Sequence, residues 1–172
     1  MIRIVVGELA SQDASAVIRA IRSDLAPVNS VSRDVAGAAG PEMEERLGKI
    51  GSMPVGGAVL TPSGGLSADF IIHVVVMSED EPQSMLTVQK ALRNGLRRAS
   101  DWALESLALP PLGIGVGVIE ADDSARALLE ILFSHLDEGR PPLALTVVVG
   151  SEYESGLFSQ LVDELSSGRS RN

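Results

Sequence analysis

Apolar residues fall along this chain in two alternating kinds of run. Short, β-branched runs sit at Ile2 to Val6, Ala58 to Thr61, Phe70 to Val75, Leu107 to Leu109 and Leu143 to Val149. Runs of this length and composition read as buried strands. Between them lie stretches with helical spacing. Val35, Ala36, Ala39, Met43 and Leu47 share one face, with Ser32 as the expected N-cap and Gly40-Pro41 as an interruption. Met85, Val88, Leu92, Leu96, Ala99 and Ala103 form a second stripe, on a helix expected to open at Pro82. Ala125, Leu128, Leu129 and Leu132 form a third, within Ala121 to Leu136, and Tyr153 to Leu165 reads as a terminal helix. Ser15 to Leu25 fits both templates: Ala16, Val17, Ala20, Ile21 and Leu25 have helical spacing, while Ala16-Val17-Ile18 suits a strand.

Turn residues punctuate the pattern. Gly7-Glu8 ends the first strand, Pro62-Ser63-Gly64-Gly65 joins two strands, and Pro110-Pro111 leads into glycines 113, 115 and 117. Strands alternating with helices predict an α/β fold, a three-layer α/β/α sandwich with a mixed central sheet. Residues 1–165 read as one domain, and 166–172 as a disordered tail.

Composition narrows the function. The 172 residues carry a formal charge of −9, with 14 basic and 23 acidic residues. This argues against a nucleic-acid polymer as partner, since such binding needs a basic surface to displace counterions. Backbone N–H groups can still hold one phosphorylated small molecule. The absence of cysteine removes disulfides, thiolate metal sites and cysteine nucleophiles. Two distant histidines, His73 and His135, make no metal cluster. His73, inside an apolar strand, reads as a structural histidine rather than a ligand. Nothing calls for a cofactor. No apolar run reaches the ~20 residues that span a bilayer, and the first residues read as a strand, not a signal peptide. A cytoplasmic protein is the expectation.

The stretch Gly51 to Val75, in the order G-x-x-P-x-G-x-A, T-P, a glycine turn and I-H-x-V, resembles the middle of a macro domain. Further segments agree in order: Val31 to Glu42, Ala91 to Leu96, and Pro110-x-Leu112-x-x-Gly115-Val116. The resemblance runs from Ile2 to about Leu165. It implies the macro-domain fold, a cleft at the C-terminal ends of the strands, and ADP-ribose or a related nucleotide as ligand.

The implied ligand positions are Gly7, Glu8 and Leu9 after the first strand, Arg19 and Arg22 in the next element, and Ser32 and Val35 in the first ligand loop. Gly113, Ile114, Gly115, Val116 and Gly117 form the second. Glu8 stands where the family has an aspartate that meets the adenine amino group; it reads equally as an exposed loop acid. Arg19 and Arg22 replace the two asparagines that contact the distal ribose in catalytic members. Arginine has no acceptor, so the resemblance argues against strong hydrolase activity. The arginines could meet a phosphate, or be solvent-facing or paired with Asp24 or Glu8. Pro27 to Val35 replaces a glycine-rich loop, with Ser32 at the family's aspartate. The aromatic that flanks adenine aligns with Gly150, leaving Tyr153 to substitute or simply pack. Two readings follow: a divergent ADP-ribose binder, or a degenerate macro fold acting as an interaction or homo-oligomerisation module.

Overall fold

Buried, β-branched strands build the centre of the molecule, and their order determines which loops meet. The computed structural model describes residues 1–114 and 120–171. Its strands are β1 (Ile2–Val6), β2 (Ala16–Arg22), β3 (Ala58–Pro62), β4 (Phe70–Met77), β5 (Ser106–Leu109) and β6 (Ala144–Val149). The sheet order is β1-β6-β5-β2-β4-β3. All neighbours are parallel except β3, which runs antiparallel to β4. The mixed sheet and three layers agree with the sequence reading. The ambiguous segment resolves as a strand, because Ala16 to Ile21 is buried on both faces between β4 and β5, and two-sided burial erases the period-two pattern.

Alternation along β2 sends side chains to two cores. Ala16, Ile18 and Ala20 pack towards α3 (Met85–Asp101), α4 (Ala121–Asp137) and α5 (Glu152–Arg169). Val17 faces the other side, under α1 (Ser30–Ala39) and α2 (Pro41–Gly48). Pro41 at the first turn of α2 follows Gly40, as the interruption predicted.

Helix starts differ from expectation at two places. Asn29, not Ser32, caps α1, its Oδ1 accepting from the Ser32 N–H at 3.0 Å; Ser32 lies one turn inside. Ser84, not Pro82, starts α3, in a reciprocal capping box with Thr87. At the other end α5 runs to Arg169, four residues into the segment read as a tail. Arg169 pairs with Asp137 at 3.1 Å and lies over the Phe133 ring.

The Pro62 to Gly65 turn has a second role. The Gly65 N–H donates to Ala39 O at 2.9 Å, satisfying a carbonyl at the end of α1. Gly64 has φ +60°, and a Cβ there would lie 2.2 Å from Ala39 O.

Candidate functional site

Four connections meet where β2, β4, β5 and β6 end. They enclose a cleft of about 390 Å³ lined by Ala20, Val28, Asn29, Val31, Gln83, Pro110, Pro111, Leu112, Gly113, Ile114 and Glu154. A volume above ~300 Å³ suits a small-molecule ligand, and strand C-termini are where open α/β sheets bind one. A larger hollow, about 580 Å³, lies between α2 and β3. It is away from the C-terminal ends of the parallel strands, and its charges, Glu42 and Glu45 against Arg46 and Lys49, offset each other.

Local sequence sets each wall of the cleft. Asn29 caps α1, and with Val31 in the first turn it lines the cleft, so the N-terminus of that helix borders the opening. Ser151 caps α5: its Oγ accepts from the Glu154 N–H at 3.2 Å and donates to Glu154 Oε1 at 3.4 Å. That steadies a carboxylate on the opposite wall. Gly113 sits at φ +85°, and a Cβ there would be 3.2 Å from Met85 Sδ, so glycine lets the loop press against α3. The Leu112 and Ile114 N–H groups turn back to Pro110 O and Pro111 O, at 2.8 and 3.4 Å. Gly115, Val116 and Gly117, read as the phosphate-facing part of this loop, lie outside the described residues.

Arg19 is elsewhere. It is 2 % exposed, on the opposite face of β2 from Ala20, and the cleft lining does not include it. Its Nε–H donates to His73 Nδ1 at 2.9 Å, and Nη1 donates to Ser32 O at 3.1 Å. Because a guanidinium only donates, His73 Nδ1 must accept. The ring proton is then on Nε2, which donates to Thr61 Oγ1 at 2.9 Å. Burial pushes the His73 pKa down to about 3, and the Arg19 charge adds to that effect. Burial lowers Arg19 to about 10 against the attraction of Glu44; it remains a cation at neutral pH. The alternatives of a solvent-facing Arg19, or one paired with Asp24 or Glu8, give way to this buried network.

The other implied residues divide. Gly113 and Ile114 line the cleft. The Gly7 N–H is taken by Val149 O at 3.0 Å, Glu8 is exposed, and Leu9 is core. Ser32 is buried, its hydroxyl donating to Ala20 O at 2.6 Å, and Val35 is fully buried. Arg22 pairs with Asp24 at 3.7 Å, in an acidic groove with Glu79 and Asp80. His73 is structural, as its strand position suggested. Tyr153, 80 % exposed, neither packs nor lines the cleft. The sequence reading missed Asn29, Val31, Gln83 and Glu154 as lining residues. Ser151-x-x-Glu154 is a helix-start signature that would have placed Glu154 beside the last strand. Among the described residues no group of His, Asp and Glu is placed to hold a metal, and no helix is long and apolar enough to cross a membrane.

A family model described as Macro domain matches residues 18–128. The chain belongs to the macro domain family. A protein of Aquifex aeolicus is 32 % identical over 130 residues, covering 75 % of this chain and 79 % of that protein. Solved structures share the fold at low identity. The Oceanobacillus iheyensis macrodomain with ADP superposes at a TM-score of 0.80 and 24 % identity, covering 96 % of this chain and 91 % of that one. The Trypanosoma brucei macrodomain in complex with ADP-ribose gives 0.81 and 19 %, covering 94 % and 68 %.

Proposed function

We propose that this chain is a divergent macro domain that binds ADP-ribose or a related phosphorylated nucleotide without strong hydrolase activity. The observation that carries the reading is the cleft of about 390 Å³ at the ends of β2, β4, β5 and β6. The N-terminus of α1 borders it, and such a terminus favours a phosphate through its free N–H groups and dipole. Glu154 on the far wall supplies an acceptor for an amino group. Two fold neighbours, the Oceanobacillus iheyensis and Trypanosoma brucei macrodomains, are solved with ADP and in complex with ADP-ribose. Against hydrolysis stands Arg19, whose guanidinium is locked to His73 and Ser32 on the other face of the sheet.

Calorimetric titration with ADP-ribose tests this. Val31 is 39 % exposed in the cleft wall, so Val31→Glu puts a carboxylate there without disturbing the core. Wild type should bind, and Val31→Glu should bind about tenfold more weakly or worse. No heat and no thermal shift from wild type at millimolar ADP-ribose would overturn the binding reading. The chain would then be an interaction module, a role to which the exposed Tyr153 beside Glu154 lends itself. Turnover of an ADP-ribosylated protein by the wild type would overturn only the statement on hydrolysis.

A further inference from the structure

Charge on this acidic molecule is unevenly spread. Helix α3 carries Lys90, Arg93, Arg97 and Arg98, and its only acid is Asp101, the last residue. Two of these cations serve the neighbouring strand. Arg98 Nε donates to Ala58 O at 3.2 Å, and the Lys90 stem covers Gly56. Arg93 and Arg97 make no ion pair among the described residues. They line a pocket of about 150 Å³ between α3 and α4, together with Arg140, Ser134, His135 and Glu138.

The walls of this pocket are held independently of any ligand. His135 Nε2 donates to Pro142 O at 3.0 Å, and the Ser100 hydroxyl donates to Pro141 O. These two bonds tie both helices to the turn before β6 and keep Arg140 at the rim. Two acids oppose the cations. Glu138 is in the lining, and Asp101 meets Arg140 at 3.9 Å, both half exposed. Three arginines against these two carboxylates still leave the pocket net positive on a chain of net charge −9.

We propose that this pocket is a second anion site, distinct from the nucleotide cleft, taking one phosphate-sized oxyanion. A volume of about 150 Å³ is too small for a nucleotide, since clefts for such ligands start near 300 Å³. Planar guanidinium groups match phosphate oxygens in pairs, and Ser134 adds a hydroxyl donor. The same chemistry is offered by free phosphate and by the terminal phosphate of a larger molecule.

An NMR titration of the labelled protein with inorganic phosphate, repeated with adenosine monophosphate, tests this. Phosphate should shift the Arg93, Arg97 and Arg140 resonances saturably, with half-saturation rising as salt is added. Arg93→Glu with Arg97→Glu should weaken that response about tenfold or more, while Val31→Glu, which alters the nucleotide cleft, should leave it intact. Should the double glutamate variant fold poorly, Arg93→Gln with Arg97→Gln gives the same comparison. Matching shifts with the monophosphate assign the site to a borne phosphate; shifts with inorganic phosphate alone assign it to the free ion. No saturable shift at these arginines with either probe, or shifts unchanged in the charge variants, would overturn the proposal.

Discussion

Arg19 is one of the positions at which this chain differs from what the resemblance to catalytic macro domains implies, and the structure fixes where its side chain goes. Arg19 lies opposite His73 in the β2–β4 register, on the face covered by α1 and α2. There its guanidinium bridges His73 and Ser32 O. Arg19→Ala would leave His73 Nδ1 without its donor and open a cavity. The expected loss is about 3 kcal/mol of stability, read as a lower urea midpoint at unchanged slope; a loss within ~0.5 kcal/mol would contradict the network. His73 supplies a pH test. Its folded pKa is depressed to about 3, whereas the unfolded ring titrates near 6.5. The histidine therefore contributes no penalty above pH 6.5. As pH falls below that value the unfolded chain takes up a proton that the folded one refuses, until about pH 3. Stability should drop by about 1–2 kcal/mol between pH 7.5 and 5 from this group. His73→Gln should flatten that part of the urea-midpoint profile, and an unchanged profile would show that His73 does not titrate in this way.

Helix ends and turns place the walls of the cleft, and they are testable one element at a time. Asn29→Ala removes the side-chain acceptor at the start of α1 and should cost about 1 kcal/mol. It should also weaken ADP-ribose binding, since the same residue lines the cleft. Gly64→Ala should be worse. It combines a left-handed backbone with a Cβ 2.2 Å from Ala39 O, a cost of about 2 kcal/mol or more by thermal or urea unfolding. A loss below that of Asn29→Ala would mean that the turn yields easily. At this scale the strands other than β2 and the Gly40-Pro41 break were legible, because β-branching, glycine and proline act locally. The start of α1 was not: Asn29 and Ser32 are both good caps, and the choice depends on Ser32 being drawn beneath α1 to bond Ala20 O. The direction of Arg19 was equally hidden. A strand buried on both sides carries no alternation, so only the pairing with β4 reveals that Arg19 meets His73.

At the scale of the whole molecule, the order of strands and helices carried the family resemblance, while most of the site did not show. Gly113 and Ile114 were legible from a glycine loop after a strand; Glu154 and Gln83 reach the same cleft only because β6 and β4 end beside it. The sheet also separates function in space. The cleft proposed to take a nucleotide sits at the C-terminal ends of the parallel strands. The arginine pocket is built from the second half of α3 and the end of α4, helices that start at that edge and run back along one face. Reversing two charges there changes the net charge by four units, from −9 to −13, yet it should act on the cleft only through the long-range field. With a Debye length of about 8 Å at physiological salt, ADP-ribose affinity of the Arg93→Glu, Arg97→Glu variant should stay within about twofold of wild type. At low salt the added repulsion should reach further and weaken binding of the anionic ligand. Calorimetry at two ionic strengths reads both effects. A large loss that persists at high salt would mean that the two sites are coupled through the α3–α4 layer rather than through charge alone.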